Sequence, residues 1–333
     1  MRTFEPDDTI LITGGAGFIG YHLSKRLLEL GTRRVVGFDN MNDYYDVQLK
    51  KDRLAELTEN DRYEFVAGDL ADAAMIRQLF EQFHPDVVIN LGGQAGVRYS
   101  IENPESYIQA NIVGFFNILE ACRHMPVKHL LYASSSSVYG GNDKVPFSTE
   151  DKVDRPVSLY AATKKSDELM AYAYCKLYGI KATGLRFFTV YGPMGRPDMA
   201  YFKFAKKIME GQPIQVYNNG DMMRDFTYVD DIVTGVVNII SNPPEEDSLG
   251  AAYKVYNIGN NKPQKLMDFI TILEKCLGRT AIKEYLPMQP GDVYQTYADV
   301  SELMKDYGFK PDTSLETGLA RFAEWFKAYY HYE

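Results

Sequence analysis

The sequence predicts an α/β protein in which a doubly wound parallel sheet carries a smaller C-terminal lobe. Three observations lead there. Short β-branched or aromatic runs alternate with helix-length amphipathic stretches, a glycine-rich turn follows the first run directly, and the alternation loosens after about residue 192. The strand-like runs fall at 9–13, 34–39, 63–67, 87–91, 129–134 and 181–188. Between them, 18–30, 71–83, 114–123 and 160–177 suit crossover helices, and βα units repeated at this spacing make neighbouring strands parallel. Residues 1–192 are therefore expected to form the sheet domain, with the chain returning to it around 225–260, and 193–333 mainly the second lobe. Within that part, 242–250 holds two prolines and three acids and reads as an exposed loop. Trp325, Phe326, Tyr329 and Tyr330 at helical spacing read as a packed terminal helix.

With 333 residues, 45% hydrophobic and 24% charged, the chain is long enough for a large core and two lobes. A net charge of −9 offers no basic face for nucleic acid or an anionic membrane, so neither is an expected partner. Any anionic ligand must be met by locally placed Arg and Lys. Cys122, Cys175 and Cys276 lie far apart without a CxxC pair, which argues against a disulfide framework or thiolate metal site and fits a reducing cytoplasm. The five histidines show no ligand-like spacing, so no metal is expected. No apolar run approaches the ~18 residues of a membrane span. The polar, acidic start of the chain is unlike a signal peptide.

Directly after Ile10-Leu11-Ile12 comes Thr13-Gly14-Gly15-Ala16-Gly17-Phe18-Ile19-Gly20. The missing side chains let the backbone turn tightly and approach a pyrophosphate, whose charge then rests on the N-terminus of the helix opened by Phe18 and Ile19. This is the signature of a Rossmann-type dinucleotide-binding domain. Nineteen residues after Gly20, Asp39 ends the second strand with Asn40 beside it. A carboxylate there suits the adenosine ribose hydroxyls and repels a 2′-phosphate, so NAD is favoured over NADP. Asp69 and Leu70 follow the third strand, and Leu91, Gly92 and Gly93 the fourth, on the same sheet edge. Asp69 suits the adenine amino group, with a helix N-cap as the alternative, while the small glycines let the cofactor pass closely.

Tyr160 and Lys164 stand four residues apart, hence on one helical face. An ammonium beside a phenol favours the phenolate, so the pair can exchange the proton of a substrate hydroxyl. Ser135, twenty-five residues before Tyr160, lies in Ala133-Ser134-Ser135-Ser136-Ser137-Val138-Tyr139-Gly140 at the end of the fifth strand. Its hydroxyl can hold the reacting oxygen; the alternative is that the serines merely close a strand. Together these groups suit hydride chemistry at a secondary alcohol.

The glycine turn, Asp39, the serine run and the Tyr160/Lys164 pair resemble the extended short-chain dehydrogenase/reductase family of nucleotide-sugar enzymes over nearly the whole chain. The resemblance implies a UDP-sugar substrate, a resident NAD, oxidation at C4 of the sugar by Tyr160, Lys164 and Ser135, and a homodimer. It makes 193–333 mainly a nucleotide-sugar-binding lobe, with Arg224 of Arg224-Asp225-Phe226 gripping the diphosphate and Tyr217 near it in a strand-like 214–217. Within the family, Asn42-Asp43-Tyr44-Tyr45-Asp46, Gly96-Val97-Arg98-Tyr99-Ser100, residues 158–165 and above all 184–193 with Gly195-Arg196-Pro197-Asp198-Met199-Ala200 resemble the UDP-glucuronate 4-epimerase branch. Met194 departs from the Trp of that branch, and Leu91-Gly92-Gly93 from its Leu-Ala-Ala. Gln289 resembles the uronate branch where neutral-sugar epimerases often carry Arg, and Asp292 beside it is a further substrate contact.

Oxidising C4 of a uronic acid makes a β-keto acid, which loses carbon dioxide once its carboxylate bond stands perpendicular to the ketone plane. Ser136, Ser137 and Thr189 are hydroxyl donors able to hold the carboxylate out of that geometry, and Thr189 stands where enzymes for neutral sugars often carry Asn. Arg196 in its Gly/Pro-rich loop is the first cation expected to close on substrate. Arg98 and Arg186 are further cations near the cleft, with a salt-bridge role as the alternative. The expected reaction is C4 epimerisation of UDP-glucuronate to UDP-galacturonate through a transient 4-keto sugar, without net redox change. The rivals are a UDP-glucuronate decarboxylase, a C4 epimerase of another UDP-hexose, and an NAD-sensing interaction protein. A 4,6-dehydratase would need an acidic pair where Ser136 and Ser137 stand.

Overall fold

The computed structural model describes residues 6–288 and 294–332. β1 (Thr9–Thr13), α1 (Phe18–Glu29), β2 (Arg34–Asp39), α2 (Val47–Thr58), β3 (Tyr63–Ala67), α3 (Ala73–Phe83) and β4 (Val87–Asn90) form the first half of the sheet domain. Two short helices, α4 (Tyr99–Glu102) and α5 (Pro104–Tyr107), then run through a π-helical turn (Ile108–Val113) into α6 (Gly114–His124). β5 (His129–Ser135), a 3-10 turn (Ser136–Tyr139), α7 (Leu159–Tyr178) and β6 (Ala182–Phe187) follow. Beyond them come β7 (Thr189–Tyr191), α8 (Ala200–Met209), β8 (Ile214–Val216), β9 (Met223–Arg224), β10 (Phe226–Tyr228), α9 (Val229–Ile240), β11 (Tyr253–Ile258), β12 (Gln264–Lys265), α10 (Leu266–Leu277), β13 (Lys283–Tyr285), α11 (Ser301–Tyr307) and α12 (Leu315–Tyr329).

Among the described residues seven strands make one sheet in the order β3-β2-β1-β4-β5-β6-β11, every pair parallel. This is the doubly wound α/β fold that the alternation indicates. Ile10, Leu11 and Ile12 of β1 and Val87, Val88 and Ile89 of β4 are all buried, as a strand covered by helices on both faces requires. The order reverses between β1 and β4, and their register pairs Thr13 with Asn90, so both strands end at one place on the carboxyl edge. The Thr13 hydroxyl donates to Asn90 Oδ1 at 2.6 Å there. Open α/β sheets bind ligands at such a switch point.

Local chemistry fixes the helix ends. Asp72 Oδ1 accepts from the backbone N–H groups of Ala74 and Met75, both at 3.0 Å, a cap worth about 1 kcal/mol. The third helix therefore starts at Ala73 rather than 71, and its buried residues Ile76, Leu79, Phe80 and Phe83 repeat at helical spacing. Ser158 caps α7 through Ala161 at 3.1 Å, which puts Tyr160 in the first turn. The strand expected to reach Tyr217 stops at Val216, because Asn218 and Asn219 take left-handed φ of 48° and 50° that no strand can hold. In the C-terminal part β7 pairs with β10, β9 with β12 and β8 with β13. Phe202 of α8 packs on Phe322, Trp325, Phe326 and Tyr330, which seats the aromatic terminal helix.

Candidate active site

The glycine turn bridges the ends of β1 and β4. Gly14 has φ +68°, and a Cβ on it would lie 2.9 Å from the backbone nitrogen of Gly92. A Cβ on Gly20 would run into the Gly14 carbonyl oxygen, so the first turn of α1 can lie against the turn only because Gly20 is bare. Gly17 caps α1 without a side-chain hydrogen bond, leaving the positive end of that helix to an outside anion. Phe18, buried, and Ile19, half-buried, pack into the core behind it. These features fit the pyrophosphate of a dinucleotide.

Asp39 ends β2 on the same edge; its Oδ1 accepts from Met41 N at 2.9 Å and faces Lys50 Nζ at 3.7 Å, both side chains nearly buried. Burial lowers the Lys50 pKa despite that carboxylate. Asn40 donates to Asp69 Oδ2 at 3.2 Å, which brings these two residues together. Asp69 Oδ1 turns back onto Ala71 N at 2.9 Å, so Asp69 closes a short turn while Asp72 caps the helix. Leu70 is buried, and a Cβ on Gly92 would meet its Cδ1 at 2.8 Å. Leu91 donates its N–H to Thr13 O at 3.2 Å.

Tyr160 is half-buried and Lys164 buried. Lys164 Nζ would lie 3.6 Å from a Cβ on Gly93, just past the end of β4, so the ammonium reaches the same switch point as the glycine turn. It also pairs with Asp167 Oδ2 at 3.2 Å. The ring of Tyr160 stands edge-on to Tyr107, with centroids 6.0 Å apart. Asn111, at the π-helical turn, is buried and donates to Thr163 Oγ1 at 3.0 Å and Gln94 O at 3.1 Å, while its Oδ1 accepts from Gln94 N at 2.8 Å. It thereby joins the strand β4 loop to the first turn of α7.

Ser135 is buried at the end of β5, and its Oγ accepts from Ser137 Oγ at 2.9 Å and Ser137 N at 3.2 Å. Ser136 opens the 3-10 turn, which packs on α7. Thr189 starts β7 opposite Phe226. Arg196 forks onto Asp198, with Nε at 3.0 Å from Oδ1 and Nη2 at 2.5 Å from Oδ2. Burial works against the Asp198 carboxylate, yet Arg196 holds its pKa below the usual range. Arg98 is exposed, with its guanidinium 5.7 Å from the ring centre of Tyr217. Arg224 donates from Nη1 to Met223 O at 2.8 Å and Tyr294 O at 3.1 Å. Asp292 and Gln289 lie outside the described residues.

Arg186 is not a cleft cation. It is buried, bonded to both carboxyl oxygens of Glu168 at 2.8 and 2.9 Å and to the Tyr139 hydroxyl at 3.0 Å, which gives the salt-bridge alternative. Among the described residues no group of three or more His, Cys, Asp or Glu could hold a metal ion, and no helix is long and apolar enough to cross a membrane. The three cysteines are free thiols.

Residues 10–259 match the model of the NAD dependent epimerase/dehydratase family. The chain belongs to that family. As a member of the epimerase/dehydratase family it is 49% identical over 332 residues to a probable UDP-glucuronate 4-epimerase of Rhizobium meliloti, an alignment covering 96% of this chain and 97% of that protein. It is 46% identical over 334 residues to UDP-glucuronate 4-epimerase 3 of Arabidopsis thaliana, across 97% of this chain and 77% of the plant protein. Among solved structures, the UDP-glucuronic acid 4-epimerase from Bacillus cereus in complex with UDP-glucuronic acid and NAD is similar with a TM-score of 0.88 at 35% identity, over 97% of this chain and all of that one.

Several site-forming residues escape sequence reasoning. Asn111 carries no local signal, because its partners Gln94 and Thr163 lie 17 and 52 residues away. Asp198 and Tyr44 carry no signal of their own beyond the stretches that resemble the epimerase branch; Tyr44 donates to Asp198 Oδ2 at 3.3 Å across 154 residues.

Proposed function

We propose that this chain is an NAD-dependent isomerase that converts UDP-glucuronate to UDP-galacturonate at C4 without net redox change. The observation that carries the reading is that α7 brings Lys164, and Tyr160 one turn before it, to the end of β4 beside the glycine turn, where Lys164 Nζ would lie 3.6 Å from a Cβ on Gly93. Arg196 forks onto Asp198 through Nε and Nη2, and its remaining donors could meet the carboxylate that a uronate has and a neutral sugar lacks. The kinship with chains named UDP-glucuronate 4-epimerase supports the same reading.

NAD bound over the Gly14 to Gly20 turn supplies a hydride acceptor and donor at the sugar's C4. Gly14, Gly17 and Gly20 with the α1 N-terminus would hold its pyrophosphate, Asp39 its adenosine ribose, and Asn40 with Asp69 its adenine edge. Leu70, Leu91 and Gly92 would wall the passage between them. Tyr160 takes the proton of the 4-hydroxyl and later returns one, so it acts as base and then as acid. Lys164 stabilises the phenolate in that role, and Ser135 holds the reacting oxygen. Ser136, Ser137 and Thr189 clamp the carboxylate, and Arg196 pairs with it, sharing its charge with Asp198. Arg224, with Arg98 and Tyr217, serves the nucleotide diphosphate, and Asp292 is a further contact. In this reading 1–192, rejoined around 225–260, is the cofactor domain and 193–333 mainly the sugar lobe.

The working form is a homodimer in the cytoplasm, paired through α6 and α7, whose outer faces expose Phe116, Leu169 and Leu177. To test the activity, purified protein is incubated with UDP-glucuronate and no added NAD, and the products are followed by NMR. UDP-galacturonate is the expected product. UDP-pentose as main product would make the chain a decarboxylase, and no turnover of any UDP-sugar would return it to a binding role.

A further inference from the structure

Arg53, in α2, is fully buried, and no carboxylate pairs with it among the described residues. Its donors go instead to three segments of the site. Nη1 donates to Ala16 O in the glycine turn at 2.8 Å and to the Tyr45 hydroxyl, on the loop after Asp39, at 2.9 Å. Nη2 donates to Met194 O at 2.6 Å and Gly195 O at 3.1 Å, and Nε to Met194 O at 3.2 Å. A buried charge met only by carbonyl and phenol oxygens is a costly way to fill space, where an apolar side chain of similar volume would serve better. Its geometry, a rigid fork with oxygens on both sides, is what an apolar side chain lacks.

What the fork holds is the backbone leading into the sugar side of the site. Met194 has φ +52°, a left-handed conformation that a residue with a Cβ rarely takes, and two Arg53 bonds converge on its carbonyl. Two residues on is Arg196, forked onto Asp198, which in turn accepts from Tyr44, the neighbour of Tyr45 that Arg53 also anchors.

We propose that Arg53 is a positioning residue that ties the backbone of Met194 and Gly195 to the cofactor turn and so sets where Arg196 stands. The proposal rests on the reading of Arg196 as the cation that meets the sugar carboxylate. Arg53 is fully buried and acts through Arg196.

The test is a double-mutant cycle of R53K and R196Q with saturating added NAD, read as KM and kcat for UDP-glucuronate and as the dissociation constant of UDP by calorimetry. Lysine keeps the charge but cannot reach Ala16 O and Met194 O together. R53K is expected to raise KM for UDP-glucuronate about tenfold and to leave UDP binding within about twofold, because only the sugar end is misplaced. The double variant is expected within about threefold of R196Q alone, since a residue acting through Arg196 has nothing left to position. A merely structural Arg53 would weaken UDP and UDP-glucuronate alike and multiply its effect onto R196Q, and either result overturns the proposal, as does an R53K indistinguishable from the unaltered protein. If R53K does not accumulate as folded protein, R53Q enters the same cycle with the same expectations. R196Q with unaltered KM would sink the uronate reading of Arg196 itself, whereas a loss in R196Q without one in the Arg53 variant sinks the Arg53 proposal alone.

Discussion

Asp167 lies three residues beyond Lys164, with one carboxyl oxygen on its ammonium and the other buried without a hydrogen-bond partner. Burial pushes its pKa up to about 7, against the pull of Lys164. A carboxyl whose folded pKa is raised adds stability that is complete below its unfolded value of about 3.9 and is lost as pH climbs through the folded value. Asp167→Asn stays neutral throughout. Between about pH 4 and 7 the unfolding free energy of the unaltered protein should therefore fall relative to D167N, by at most about 1.4 kcal/mol per pH unit, as read by urea titrations. A difference independent of pH contradicts this. Thr189→Ala tests the carboxylate clamp: losing one hydrogen bond, about 1 kcal/mol, should raise the ratio of UDP-pentose to UDP-galacturonate about fivefold by product NMR. Unaltered rate and product ratio would count against the clamp. At this scale the sequence is readable where partners share one element. Tyr160 and Lys164 are visible because a helix brings i and i+4 together. Arg186 and Arg53 are not, since Glu168, Ala16 and Met194 are brought to them only by the packing of distant segments.

The element that decides cofactor retention is α1, whose first turn lies against the Gly14 carbonyl. Gly20→Ala puts a methyl into that contact, forcing the helix away from the turn. We expect G20A to purify with less than about a tenth of the bound NAD of the unaltered protein, measured by chromatography of an acid extract. Full NAD content would mean that the turn does not hold the pyrophosphate. The βα units are legible because burial on both faces imposes long apolar runs, and amphipathic period marks the helices between them. Their ends are set by single capping side chains, as the start of α3 at Ala73 after Asp72 illustrates. The π-helical turn that carries Asn111 and the two- and three-residue strands β7 to β10, β12 and β13 leave no such period. The pairs β9–β12 and β8–β13 are only two and three residues long, too short for alternation to declare them.

Over the whole molecule, fold class follows from the order of elements alone, since parallel strands joined by helices admit few topologies. The quaternary surface is less evident, because apolar residues on helix faces look alike whether they meet a core or a partner. Leu169 and Leu177 on α7 are 61% and 69% exposed, and α7 packs beside α6, which exposes Phe116. Pairing across these helices should be broken by L169E with L177E, moving the sedimentation coefficient from that of a dimer to that of a monomer. A monomeric unaltered protein at micromolar concentration would remove the premise. In a cycle without net redox change, the hydrogen taken from C4 is the one returned to it. Purified protein is therefore given UDP-glucuronate deuterated at C4, in ordinary water and without added NAD. The result expected is UDP-galacturonate that keeps its deuterium at C4; product whose C4 carries hydrogen from water would rule out hydride return by a resident NAD.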